Sequence, residues 1–77
     1  VTLVRFFAAA EEAAGTAEET RSESTLDALR AALVADHPGL GGILPRCAVL
    51  IDGARRDGDA TLTDTRTVDI LPPFAGG

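Results

Sequence analysis

The sequence contains no lysine: its seven basic side chains are all arginine, set against twelve aspartates and glutamates, for a formal net charge of −5. That balance excludes the basic footprint of a nucleic-acid binder and points to partners that are basic, or at least not acidic. It also removes the side-chain amine to which another protein is joined by an isopeptide bond, so the chain cannot form lysine-linked chains on itself. Cysteine and histidine occur once each. The lone Cys47 cannot make an intrachain disulfide, and His37, with no second ligand at suitable spacing, makes no metal site. One His, one Cys and scattered carboxylates do not combine into nucleophile, base and orienting group, which argues against an enzyme acting alone. No membrane-length apolar run and no basic leader with an apolar core are present, so a cytoplasmic protein without membrane contact is expected.

What is present is enough for one small folded domain: 77 residues, 45% hydrophobic and 25% charged, near the size at which a single core is marginal. Val1 to Phe7 reads as a central strand buried on both faces, since β-branched and aromatic residues crowd together with Arg5 as the only charge. Ala8 to Ala14 consists of strong helix formers and stops at Gly15. Thr16 to Glu23 is polar, and a loop with a weak edge strand is expected there. The main helix is signalled by Ser24 or Thr25 as cap, Asp27 in the first turn, and Leu26, Leu29 and Leu33 at helical spacing. It runs to about Asp36 or His37 before Pro38 stops it.

The stretch from Pro38 to Pro45, with three glycines, reads as a loop leading into an apolar strand from Cys47 to Ile51. Asp52-Gly53 is a turn signal, followed by a hairpin return bearing Arg55-Arg56, a short strand around Ala60 to Leu62, and a last strand from Thr67 to Leu71. Phe6 and Phe7 are both expected in the core, although one strand cannot point them to the same side. Cys47 is expected as an apolar filler, and the acidic residues Glu11, Glu12, Glu18, Glu19 and Glu23 as a solvated face. The order strand, short helix, weak strand, helix, strands predicts an α+β domain over residues 1–71, with one main helix across a mixed sheet.

Residues 72–77 form a separate tail in this reading. Pro72 and Pro73 lack backbone donors and lead the chain out of the sheet in extended form, carrying Phe74, Ala75, Gly76 and Gly77 outwards. Six extended residues reach roughly 20 Å at about 3.3 Å each. Glycines without Cβ atoms thread a narrow channel, so the tail is a thin handle that places the Gly77 carboxylate inside a partner's pocket. A carboxylate is a poor acyl donor at neutral pH and needs activation, for which an acyl-adenylate made with ATP is the usual solution. Phe74, just beyond the proline stop, is a candidate anchor for a partner, with Leu71, Pro72, Pro73 and Ala75 beside it.

The ending Leu71-Pro72-Pro73-Phe74-Ala75-Gly76-Gly77 resembles the Pro-Pro-x-x-Gly-Gly ending of the small subunit of molybdopterin synthase and of the related ThiS-like, ubiquitin-fold sulfur carriers. Val4-Arg5-Phe6-Phe7-Ala8, followed by an Ala/Glu helix and Gly15, is similar to that family's opening, and Thr25-Leu26 with Leu29 and Leu33 to its middle. Asp64-Thr65-Arg66 departs from the acidic-Gly-Asp turn frequent before the last strand, and Asp52 stands where Asn is common. The resemblance implies a β-grasp fold like that of ubiquitin. It further implies adenylation of Gly77 by an E1-like enzyme using ATP, conversion to a thiocarboxylate, and insertion of the tail into the large synthase subunit, where the sulfur builds the dithiolene of the molybdenum cofactor. No cofactor is bound by the carrier in that scheme. Relatives with similar endings supply sulfur to thiazole, cysteine or specialised metabolites, or become attached to protein lysines.

Overall fold

The computed structural model describes residues 1–56 and 58–73. Five strands form one mixed sheet: β1 (Thr2–Phe6), β2 (Glu18–Arg21), β3 (Ala48–Ile51), β4 (Ala54–Arg56) and β5 (Thr67–Leu71), in the spatial order β2-β1-β5-β3-β4. β1 and β5 run parallel at the centre, and every other pairing is antiparallel. Two helices, α1 (Ala9–Ala14) and α2 (Leu26–Asp36), and two 3-10 turns (Pro38–Gly42 and Leu44–Arg46) complete the fold. This is the β-grasp architecture, with α2 across one face of the sheet. No helix among the described residues is long and apolar enough to cross a membrane.

α2 forms where its local signals place it. Thr25 is extended, and its hydroxyl accepts the Ala28 N–H at 3.2 Å, satisfying one of the donors a helix start leaves open. Leu26, Leu29 and Leu33 then fall on one stripe, fully buried against Val4, Phe6, Val49, Val68 and Ile70 of the sheet. α1 contributes Ala10 and Ala14, the 3-10 turns contribute Leu40 and Leu44, and Leu62 closes the far end. Gly15 ends α1 at φ 77°, the left-handed conformation that glycine adopts without a Cβ clash. The Asp52-Gly53 turn has φ of 48° and 87°, the double positive of a two-residue hairpin. The Asp52 carboxylate accepts the N–H groups of Thr67 at 2.9 Å and Arg66 at 3.0 Å, tying this turn to the start of β5.

Three expectations fail for tertiary reasons. β1 is interior to the sheet, but its burial alternates: Thr2, Val4 and Phe6 are buried while Leu3 and Arg5 are partly exposed, because α2 covers one face and no described layer covers the other. Phe7 is therefore 41% exposed rather than core, whereas Phe6 is 2% exposed. Residues Ala60 to Leu62 make no strand. The Leu26 N–H donates to the Ala60 carbonyl and the Leu62 N–H to the Ser24 carbonyl, both at 2.8 Å, so the segment is spent on pinning the entrance of α2, with Thr25 and Thr61 as an isolated bridge.

Candidate functional site

Strand alternation determines what the uncovered face of the sheet presents. On β1 it carries Leu3 and Arg5; on β5, Thr67, Asp69 and Leu71; on β3, Ala48 and Leu50. Asp69 is only 6% exposed, and its carboxylate receives both Arg5 donors, Nε at 2.5 Å and an Nη at 2.8 Å, in a bidentate pair across the two central strands. The Asp69 hydrogen bond and its charge raise the Arg5 pKa further above its ordinary value, which favours the charged guanidinium. It pins β1 to β5 at the centre of the open face.

Beside that pair lies an apolar shelf. Leu71 stands opposite Ala48, and Leu50 lies between Asp69 and Arg55 in the cross-strand register. Ala48, Leu50 and Leu71, all partly buried, line a shallow depression of about 420 Å³ with Pro72 and Pro73, and Arg46 and Arg55 form its basic edge. Phe7 continues the same face beyond the end of β1, its N–H bonded to the Ile70 carbonyl at 3.2 Å. Pro72 and Pro73 thus follow β5 along an apolar, arginine-edged surface. Of the tail residues singled out in the sequence, Leu71, Pro72 and Pro73 are placed together at this shelf. Phe74, Ala75, Gly76 and Gly77 lie outside the described residues.

Arg46, Ala48, Leu50 and Arg55 were not expected as part of the site. The signal lay in Ala48-Val49-Leu50-Ile51: a strand covered on one face should alternate with polar residues, and this one does not. Val49 is buried under α2 and Ile51 packs against that core, whereas Ala48 and Leu50 are the apolar residues left over for the open side.

The remaining reactive groups are engaged elsewhere. Cys47 packs against the core; its thiol donates to the Ile43 carbonyl at 3.3 Å, and burial raises its pKa above the ordinary thiol range, which suppresses the nucleophilic thiolate. His37 caps α2, lies edge-on to Phe6 with ring centroids 6.1 Å apart, and bonds through Nε2 to Glu19 at 2.7 Å. Glu19 also pairs with Arg21 at 2.6 Å, and Arg21 reaches Asp36 at 2.7 Å, so these groups join β2 to the end of α2. Glu19 is in this network rather than on a solvated face.

The model of the ThiS family matches residues 4–77. A search of curated protein sequences gives no significant match. Among solved structures, the chain is similar to the small archaeal modifier protein 1 of Methanosarcina acetivorans, with a TM-score of 0.75, 24% identity, and coverage of 99% of this chain and 95% of that one. It is similar also to small archaeal modifier protein 1 of Haloferax volcanii, with a TM-score of 0.69, 22% identity, and coverage of 99% and 98%. The HVO 2177 protein of Haloferax volcanii aligns with a TM-score of 0.68, 27% identity, and coverage of 99% and 85%.

Proposed function

The chain belongs to the ThiS family, and from that premise we propose that it is a sulfur carrier whose working group is the carboxylate of Gly77. The observation that supports this reading is the Pro72-Pro73-Phe74-Ala75-Gly76-Gly77 ending in the sequence, whose Pro72 and Pro73 follow β5 beside the apolar shelf of Ala48, Leu50 and Leu71. Among the described residues no nucleophile, base and orienting group come together, and in this reading activation and transfer are assigned to partners. An E1-like enzyme covers the shelf and holds the tail. A Gly77 carboxylate oxygen attacks the α-phosphorus of ATP, pyrophosphate leaves, and a sulfide equivalent then displaces AMP at the acyl carbon to give a thiocarboxylate. The thiocarboxylate sulfur then attacks an electrophilic carbon of an acceptor in a second partner, and water cleaves the resulting acyl–sulfur bond, leaving the sulfur on the acceptor and restoring the Gly77 carboxylate.

The acceptor we propose is the pyranopterin precursor of the molybdenum cofactor, with the large subunit of molybdopterin synthase as second partner, on the strength of the Pro-Pro-x-x-Gly-Gly ending. Residues 1–71 act as the docking body and 72–77 as the tail; Phe74 anchors it, Ala75 and Gly76 thread it, and Gly77 carries the sulfur. The test is intact-protein mass spectrometry after incubation with ATP, sulfide and the activating enzyme of the same cell. The expected gain equals one oxygen replaced by sulfur, localised to Gly77 and abolished when Gly77 is deleted. A chain that gains the same mass without Gly77 refutes the assignment.

A second reading is favoured by one observation, the likeness in fold to two proteins named as modifiers. In it the same adenylate ends in an isopeptide bond to a lysine of another protein. Covalent adducts of the chain with other proteins in cells, in place of the thiocarboxylate mass, support that outcome.

A further inference from the structure

Behind the β3–β4 hairpin lies a cleft of about 830 Å³ between α2, the 3-10 turns and β4. Its floor is apolar, including Val34 and Leu44, and Arg30, Arg46, Arg55 and Arg56 surround it. Four of the seven arginines of an acidic protein thus lie around one concavity, and no Asp or Glu is among its described lining residues. Arg30 is held by Asp27 at 3.1 Å, an exposed pair within one helical turn that water and salt screen strongly. Arg46 and Arg56 are exposed and make no ion pair among the described residues. The cleft is a positive spot on a negative molecule.

We infer that this cleft is a second docking site, for an acidic segment of a partner protein that sets apolar side chains on the floor and carboxylates against the arginines. Charge complementarity selects the class of occupant. A nucleic acid is disfavoured by the lack of any aromatic residue, among the described lining residues, on which a base would stack. A compact polyphosphate is disfavoured because the cleft is flanked by Arg30, Ala31 and Val34, in the middle and C-terminal half of α2, away from the helix N-terminus that attracts such anions. An extended segment alternating carboxylates with leucines satisfies both the floor and the rim, as carboxylate–guanidinium pairs over an apolar base. Arg46 and Arg55 also edge the tail shelf, so the cleft and the shelf adjoin around the hairpin.

The test uses the full chain, a fluorescein-labelled peptide alternating Glu with Leu, and amide NMR shift mapping. Saturable binding is expected below about 1 mM, with shifts centred on Val34, Leu44 and Arg56, and with affinity falling as salt rises. The Arg46→Glu/Arg56→Glu double variant, which breaks no ion pair described here, should bind at least tenfold more weakly while its circular dichroism is unchanged. A peptide with Lys in place of Glu should not bind. Absence of saturable binding overturns the proposal, as do shifts confined to the tail shelf, equal binding of the Lys peptide, tight binding of AMP or inorganic phosphate in its place, or concentration-dependent self-association that fills the cleft. The assay contains neither ATP nor activating enzyme, so its outcome is independent of whether Gly77 is charged with sulfur.

Discussion

Replacing Leu50 by Gln separates docking from chemistry. Leu50 lies on the open sheet face beside the tail root, partly buried in the free protein, so only part of its burial energy remains for a partner to gain. Full burial of a leucine side chain is worth about 1.5–3 kcal/mol, and the exposed remainder about 1 kcal/mol. The glutamine amide adds a polar group under the partner without a guaranteed acceptor or donor, at about 1–3 kcal/mol. Together these weaken docking by about 2–4 kcal/mol, or roughly 30- to 900-fold. The cost to the fold itself stays within about 1 kcal/mol, because the position is not in the α2-facing core and Gln carries no charge to oppose Asp69. The assay is ATP–pyrophosphate exchange by the activating enzyme at varied carrier concentration. The expected result is a KM raised by that factor with kcat nearly unchanged, since the Gly77 carboxylate is intact. An unchanged KM would show that the enzyme grips the tail alone and would refute the shelf as a docking surface.

Three further outcomes follow from the fold. Leu33→Ala removes a fully buried side chain at the α2–sheet contact and should cost about 2–5 kcal/mol, a large part of the roughly 4–12 kcal/mol expected for a domain of this length; the urea midpoint reads it, and a loss under 1 kcal/mol would contradict the packing. Ala8 sits at φ 52° and ψ −125° between β1 and α1, backbone that costs a non-glycine residue about 1–3 kcal/mol. Ala8→Gly should therefore raise stability by about 0.5–2 kcal/mol after the greater chain entropy of glycine is deducted, and a destabilised variant would disprove the strain. The Asp52 pKa is lowered from its ordinary 3.8, chiefly by the N–H of Thr67 and then that of Arg66. A depressed carboxylate contributes stability that is complete above the unfolded pKa and lost as pH falls through the folded one. Asp52→Asn should accordingly flatten the loss of stability below about pH 4, measured by thermal melts between neutral and acid pH; an unchanged acid profile would show that the carboxylate contributes nothing.

The sequence alone determined the features set by a few neighbouring residues. The Ser24-Thr25 cap signal and the Leu26, Leu29, Leu33 stripe placed α2 and its buried side, and Asp52-Gly53 placed the hairpin, because capping and two-residue turns are decided within one turn of chain. The Pro-Pro-x-x-Gly-Gly ending with the similar opening carried the family resemblance, since a motif needs no tertiary contact to be read. Tertiary structure decided which face of each strand is covered. Phe6 and Phe7 are adjacent and chemically identical, yet one is core and the other exposed, because one helix layer lies over a sheet with two faces. The same asymmetry leaves Ala48 and Leu50 on the open side and lets Asp69 meet Arg5 from 64 residues away. Arginines at 30, 46, 55 and 56 are brought around one cleft by a helix, a turn and a hairpin. No local pattern encodes that convergence, which depends on how the layers pack.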